Sequence, residues 1–122
     1  MTAKVINFSH LITENQVKQL KILANDEIDI VDISIQINDT RDMLPQILAQ
    51  TKEASDVIYF QKEANIIIIP PSLAIAATAI ALLYLDFKNV SYARSVFDDN
   101  PVVAEYVFKE LISYLSITKL SL

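Results

Sequence analysis

The sequence predicts a single α/β domain over residues 1–122, in which a mostly parallel sheet carries helices on both faces. Short apolar runs rich in β-branched residues alternate with segments of helical periodicity, which implies right-handed crossovers between parallel strands. Residues 65–69 contain consecutive isoleucines without polar alternation, as is typical of a central strand covered on both faces. The chain is 52% hydrophobic, and its 122 residues suffice for one core.

Neighbouring segments near the start of the chain predict the first strand and the first helix. Residues 4–8 are a mainly apolar run that predicts a buried strand. Thr13 and Gln16 have the spacing of a capping box, in which each side chain bonds the backbone N–H of the other residue. They predict a helix over residues 14–24, whose apolar positions fall on one face.

A second strand and helix are predicted next along the chain. Residues 27–37 alternate apolar with polar side chains, which predicts the second strand. The Asn-Asp-Thr sequence at residues 38–40 predicts a turn and a helix cap. Residues 41–52 predict the second helix, with a proline in its first turn. Residues 55–63 fit either a short helix or a connecting segment.

Residues 64–85 in the centre of the chain carry no charge, and this stretch is long enough to suggest a membrane span. A spanning helix needs about 20 uninterrupted apolar residues, and Pro70 and Pro71 divide this stretch. The isoleucines before the prolines favour a third strand over residues 65–69. A buried helix is predicted over residues 73–87, and no membrane partner is expected.

The last part of the chain predicts a fourth strand over residues 90–97 and a turn over residues 98–101. Residues 103–108 fit a fifth strand, with a helix that begins at Pro101 as the alternative. A last short helix is predicted over residues 110–117.

Glycine and cysteine are both absent. Without glycine, neither a Walker loop nor the dinucleotide fingerprint is present in standard form, so helix N-termini and side chains would have to hold any phosphate. Without cysteine there is no disulfide, no thiol catalysis and no cysteine-ligated metal. The same absence, with no signal-peptide pattern at the start, predicts a cytoplasmic protein. No cofactor is expected.

The charge balance limits the classes of partner. The net charge is −5, and the ten lysines and arginines are scattered along the chain. Proteins that bind long nucleic acids neutralise many phosphates with clustered basic residues. A duplex nucleic acid is therefore not an expected partner, whereas a small anionic ligand held by a few local donors fits the composition.

Three loops are expected to meet at the carboxyl edge of the sheet, where α/β proteins bind ligands. In chain order they are residues 9–10, 38–40 and 70–72. Each follows a strand and precedes a helix N-terminus, whose free N–H groups and dipole favour an anion. A purely local role in capping or solvating the helix is the alternative, and capping is favoured for Thr40. The candidate ligand-binding residues in and beside these loops are Asn7, Ser9, His10, Gln36, Asn38, Thr40, Arg41, Pro71 and Ser72.

His10 is the only histidine of the chain. It is not expected to form a catalytic dyad with Ser9, because neighbours in an extended segment point to opposite sides. No second histidine is present for a two-histidine metal site, and Asp98 and Asp99 fit a turn, so no metal is expected. His10 is predicted to bind and orient a ligand, with a catalytic role or no role as the alternatives.

Several segments together resemble a known family. They are the Val-Ile-Asn-Phe-Ser-His start, the Asp-Ile-Ser-Ile-Gln-Ile strand and the Ile-Ile-Pro-Pro element with its alanine-rich helix. They resemble small ancillary Csx proteins from type III CRISPR loci, which are Rossmann-like and akin to the CARF domains that sense cyclic oligoadenylates. The resemblance covers most of residues 1–90. Ser72 stands where the family has a glycine, so its hydroxyl either replaces a backbone contact or leaves the site weaker.

The resemblance implies a function in damping cyclic oligoadenylate signals. Some relatives cleave the ring through its own 2′-hydroxyl, and others bind and sequester it. A ring with rotational symmetry implies a homodimer, which could assemble further, with the loops of both subunits around one ligand. Sequestration of cyclic tetra-adenylate is favoured, because His10 is the only candidate for proton transfer. The alternatives are a ring nuclease assisted by His10 and a non-catalytic α/β scaffold that binds other proteins.

Overall fold

The computed structural model describes residues 2–33, 35–38, 40–58, 65–72, 74–83, 89–98 and 105–113. Within them, strands and helices alternate, except that the last two described elements are both strands. The elements in chain order are β1 (Thr2–Asn7), α1 (Glu14–Ala24), β2 (Glu27–Asp32), α2 (Met43–Ile58), β3 (Ile66–Ile69), α3 (Ala74–Leu83), β4 (Val90–Asp98) and β5 (Glu105–Ser113).

The strands form one sheet in the order β2-β1-β3-β4-β5. The first four strands in the chain pair in parallel, and β5 pairs with β4 in the antiparallel direction. The prediction of a mostly parallel sheet is confirmed, although the sheet is mixed. β3 lies at its centre and is buried along its whole length, which confirms the prediction for the isoleucine run. The strand order reverses between β1 and β3, since the chain adds β2 on one side of β1 and β3 on the other.

Helices cover both faces of the sheet, as the sequence predicts. Alternate isoleucines of β3 point to opposite faces, because successive side chains of a strand alternate. Ile66 and Ile68 pack in one core cluster with Ile80 of α3, while Ile67 and Ile69 pack in another with Leu20 of α1. α2 packs beside α3. One face of the sheet therefore carries α1, and the other carries α2 and α3.

β2 is shorter than predicted, because the strand it pairs with ends. The apolar–polar alternation runs on to Ile37, but β2 stops at Asp32, which pairs with Asn7 at the end of β1. The last bond of the ladder runs from the Ile33 N–H to the Asn7 carbonyl, at 2.7 Å. β1 ends at Asn7, and the Ser9 N–H that follows bonds the Asn7 side chain, so the alternating sequence has no further strand with which to pair.

Glutamine side chains of α2 take the place of the missing strand. The Gln50 amide accepts from the Gln36 N–H at 2.7 Å and donates to the Gln36 carbonyl at 2.6 Å. The Gln46 amide makes the same pair of bonds with Asn38, at 2.7 and 3.1 Å. Four residues of a helix rise about 6 Å, close to the roughly 6.6 Å that separates alternate residues of an extended chain. Residues 35–38 are thus held to a helix instead of to the sheet.

The boundaries of α2 and β5 correct two predictions. α2 continues to Ile58, so the ambiguous segment is helical up to that residue, with residues 59–63 outside the described part. The fifth strand is confirmed and continues to Ser113, which pairs with Ser91 of β4. The short helix predicted over residues 110–117 is therefore wrong over 110–113, because a long β4 supplies partners for those residues. Residues 114–117 lie outside the described part.

The β4–β5 hairpin curves over α1. The register of the two strands shifts between Arg94 and Ser95, and a bulge of this kind increases the local twist and bends the hairpin. α1 packs against β5 as well as against β2, although several strands separate these two in the sheet. Two glutamines of α1 bond the backbone of β5. Gln16 donates to the Tyr106 carbonyl at 2.7 Å, and Gln19 accepts from the Phe108 N–H at 2.8 Å.

Gln16 donates its bond to β5 whereas Gln19 accepts one, so replacing each glutamine by glutamate should have different effects. Gln16→Glu keeps the oxygen that the capping box needs but removes the donor to Tyr106, whereas Gln19→Glu keeps the acceptor for Phe108. Gln16 lies in the first turn of α1, where the helix dipole stabilises a carboxylate by about 0.3–1 kcal/mol, whereas Gln19 lies beyond that turn, so the expected difference includes this opposing gain. We expect Gln16→Glu to have a free energy of unfolding about 1 kcal/mol below that of Gln19→Glu in urea titrations. Equal stability of the two variants would show that the Gln16–Tyr106 bond does not hold the hairpin.

Candidate functional site

A cleft of about 620 Å³ opens at the carboxyl edge of the sheet. It lies between the β1–α1 loop, the end of β3 and the outer half of the β4–β5 hairpin. Its floor belongs to the core layer under α1, through Ile69, Ala93 and Phe108. The lining residues are Ser9, His10, Leu11, Ile12, Thr13, Gln16, Ile69, Pro70, Ser72, Ala93, Ser95, Phe97, Tyr106 and Phe108.

The position of the cleft is the one that α/β sheets favour for ligands. It lies beyond the ends of β1 and β3, between which the strand order reverses. Three of the predicted binding residues line it, namely Ser9 and His10 after β1 and Ser72 after β3. Ser9 is half-buried, and His10 and Ser72 are exposed. The structure therefore brings together the first and third of the predicted loops.

Asn7 does not line the cleft, but its side chain holds the backbone of the loop that does. Its side chain is 1% exposed. The carboxamide oxygen accepts from the Ser9 N–H at 3.0 Å, and the amide nitrogen donates to the His10 carbonyl and to Asp32 Oδ1, both at 2.8 Å. Both amide protons are thus in use, and Asn7 fixes the backbone that presents Ser9 and His10.

The second predicted loop lies apart from the cleft. Asn38 closes a turn, in which its side-chain oxygen accepts from the Thr40 N–H and hydroxyl at 3.0 and 2.7 Å. Its carbonyl accepts from the Arg41 N–H at 3.1 Å, and Gln36 is bonded to α2. None of these residues lines the cleft, nor does Pro71, whose neighbour Pro70 does. The physical reason is topological: the chain after β2 passes to the face of α2, whereas the cleft lies on the face of α1.

Eleven of the fourteen lining residues are absent from the sequence-based set. Five of these come from the β4–β5 hairpin, namely Ala93, Ser95, Phe97, Tyr106 and Phe108. The predicted turn at residues 98–101 is a signal that the flanking strands pair, so Phe97 and a residue soon after the turn could be expected to be neighbours. The curvature that brings them over α1 depends on the register shift within the ladder, which no residue pattern in the sequence indicates.

The lining carries little charge. Among the described residues that form it there is no lysine, arginine, aspartate or glutamate, and the ionisable side chains are those of His10 and Tyr106. Hydroxyl groups of Ser9, Thr13 and Ser95 lie beside an apolar floor. This combination suits a ligand that presents both polar and apolar groups.

The start of α1 at the cleft is capped as predicted. Thr13 Oγ1 accepts from the Gln16 N–H at 3.1 Å, and Gln16 Oε1 accepts from the Thr13 N–H at 2.9 Å.

In the part of the chain that the structure describes, no group of three or more histidine, cysteine or acidic side chains is placed to hold a metal ion. No helix in the same part combines the length and the apolar character that crossing a membrane requires.

Comparisons with known proteins do not place the chain in a family. No protein-family model matches it, and no curated protein matches its sequence. The site must therefore be interpreted from its own geometry.

The hydrogen bonds of Asn7 predict a large loss of stability when its amide nitrogen is replaced by an oxygen. Asn7→Asp replaces the amide donor by a carboxylate oxygen that faces the His10 carbonyl and the Asp32 carboxylate. We expect the free energy of unfolding to fall by about 3–5 kcal/mol, the range for an uncompensated buried charge. Asp32→Asn alone keeps an acceptor for Asn7 and should change stability by less than about 1 kcal/mol.

Combining the two substitutions provides the control. In the double variant, the carboxamide at position 32 can donate to the carboxylate at position 7, and the repulsion between two like charges is removed. Part of the lost stability should therefore be recovered in urea unfolding. A double variant no more stable than Asn7→Asp would mean that the Asn7–Asp32 contact is not formed in solution.

Proposed function

We propose that the protein binds a cyclic oligoadenylate, with cyclic tetra-adenylate as the first candidate, and lowers its free concentration by sequestration. The observation that supports this most is the meeting of Ser9, His10 and Ser72 in one cleft at the reversal of strand order. The two segments in which the sequence most resembles the Csx family, residues 7–10 and the double proline, both end at this cleft. The Rossmann-like, CARF-like form of the α/β fold is part of the same proposal.

Each residue has a distinct role in this proposal. Ser9, His10 and Ser72 contact the ribose–phosphate part of the ligand, to which hydroxyl and imidazole groups can donate and from which they can accept. Asn7 positions the loop. The second loop, which lies outside the cleft, would reach the ligand only where it extends across a homodimer; its predicted residues are Gln36, Asn38, Thr40 and Arg41. A ring with rotational symmetry fits such a dimer, because a two-fold axis presents two copies of the same loops.

Sequestration is preferred to cleavage because the cleft offers little for chemistry. His10 is exposed and is the only histidine of the chain. It has no acidic neighbour among the described lining residues to orient it as a base. The ring-nuclease alternative needs His10 to act alone on the 2′-hydroxyl of the ligand.

The scaffold alternative has an observation of its own. Leu44 and Leu48 on α2 and Ile75 and Leu82 on α3 are large apolar side chains that are 49–62% exposed. Exposed apolar groups on adjoining helices are common where proteins associate. Such a surface would serve a protein partner or a second copy of this chain, and it is compatible with ligand binding at the other face.

A titration with cyclic oligoadenylates of different ring sizes, followed by product analysis, tests the proposed function. We expect wild type to bind cyclic tetra-adenylate and to release it intact. His10→Ala should raise the Kd about 5- to 150-fold, equivalent to about 1–3 kcal/mol for an unpaired polar contact. Thr2→Ala, exposed at the opposite edge of the sheet, is the control and should leave the Kd unchanged.

Two results would replace this conclusion. If wild type opens the ring and His10→Ala binds normally but cleaves about 10²–10⁴-fold more slowly, the protein is a ring nuclease with His10 as acid or base. If the folded protein binds no cyclic oligoadenylate at any ring size, the scaffold alternative takes its place.

The uncharged lining predicts a weak dependence of binding on salt. For single-stranded ligands, the slope of log K against log salt is about −0.7 for each neutralised phosphate. One ionic contact would lower affinity about threefold between about 50 and 200 mM salt, whereas four would lower it about 50-fold. We expect the smaller change by calorimetry. The larger change would mean that basic groups outside the cleft hold the phosphates, and Arg41→Ala would then flatten the slope.

A further inference from the structure

Phe97 and Tyr106 form an exposed aromatic pair at the mouth of the cleft. They face each other across β4 and β5, with ring centroids 5.3 Å apart and ring planes at 64°. Both residues are more than half exposed, at 55% and 59%. Solvent-exposed aromatic rings contribute little to the core. Rings in this position beside a cavity are available to contact a ligand.

The polar groups of the loops and the aromatic pair of the hairpin lie on different sides of the cleft, whose lining also includes Leu11 and Ile12 beside the first loop and Ser95 on the hairpin. Ser9, His10 and Ser72 supply hydroxyl and imidazole groups on the side of the β1–α1 loop and the end of β3. The hairpin supplies Phe97 and Tyr106 on the other side. A nucleoside is divided in the same way, into a sugar with hydroxyl groups and a flat base with apolar faces. Every base has a π-face, and proteins commonly bind bases by stacking them on exposed aromatic rings.

The two sides are held at a fixed separation by one side chain. Gln16 bonds Thr13, which follows the β1–α1 loop, and also donates to the carbonyl of Tyr106. Gln19 holds the Phe108 N–H two residues further along β5. The aromatic pair is therefore tied to the start of α1 before any ligand arrives, which lowers the entropy lost on binding.

We propose that Phe97 and Tyr106 are the stacking platform for an adenine base of the ligand. This assignment deepens the proposed function, on which it rests, by naming the part of the ligand that the hairpin recognises. Because the lining carries almost no charge, base stacking supplies much of the affinity that phosphate contacts do not. Because the two ring planes stand at 64°, a base stacks on one ring and meets the other at its edge. A purine ring is favoured over the smaller pyrimidine ring, since it covers more of the ring on which it stacks.

Paired substitutions test the platform. Phe97→Leu and Tyr106→Leu keep an apolar side chain on each strand but remove the π-face, whereas Phe97→Tyr and Tyr106→Phe keep the ring. We expect each leucine variant to raise the Kd for cyclic tetra-adenylate about 5- to 150-fold. The ring-keeping variants should stay within about twofold of wild type, as should Ile22→Ala, an exposed apolar residue of α1 outside the cleft.

A second probe separates this assignment from the proposed function. Adenosine and uridine are titrated into wild type and the leucine variants, and the ring protons of Phe97 and Tyr106 are followed by NMR. We expect adenosine to shift these signals at millimolar concentration, uridine to shift them less, and the leucine variants to bind adenosine more weakly.

The outcomes distinguish the two proposals. If cyclic tetra-adenylate binds and the leucine variants bind it as tightly as wild type, the platform is wrong and the proposed function stands. If adenosine binds on the rings but no cyclic oligoadenylate binds, the platform stands and the proposed ligand is wrong. If adenosine leaves the ring signals unchanged and no cyclic oligoadenylate binds, both are overturned.

Discussion

Each backbone N–H and C=O group of an extended segment needs a partner, and this constraint governs how the molecule is built around its sheet. Where the sheet ends, glutamine side chains of the helices supply the missing partners. Gln46 and Gln50 hold the segment that continues from β2, and Gln16 and Gln19 hold the edge strand β5. A carboxamide carries one donor group and one acceptor, so it can substitute for a peptide of a neighbouring strand.

The absence of glycine makes asparagine important in the loops. Asn25 ends α1 in the left-handed region, with φ 52° and ψ 44°, a conformation that glycine commonly supplies and asparagine tolerates. Asn7 and Asn38 instead use their side chains to close the loops after β1 and β2. These internal bonds leave the Asn7 and Asn38 side chains occupied. The polar groups that line the cleft beside Asn7 are consequently the Ser9 hydroxyl and the His10 imidazole.

Features of the fold that depend on neighbouring residues could be predicted from the sequence, and features that depend on distant parts of the chain could not. The capping box of α1 and the buried β3 were predictable, because each follows from neighbouring residues or from an unbroken apolar run. The end of β2 was not, since it depends on where a different strand stops. The same holds for the cleft: Ser9 and His10 were identified from their place after a strand. Phe97 and Tyr106 reach it only through the register shift and curvature of the hairpin.

The charge of the molecule bears on how it would act as a sequestering protein. A net charge of −5 repels a polyanionic ligand at long range, which lowers the association rate without changing the short-range contacts. Affinity among related complexes is determined mainly by the dissociation rate. The described lining carries no lysine or arginine to offset this repulsion, so tight binding in the proposed function would depend on slow release. Such kinetics suit a protein that retains its ligand, whereas a ring nuclease gains from rapid exchange of ligand and product.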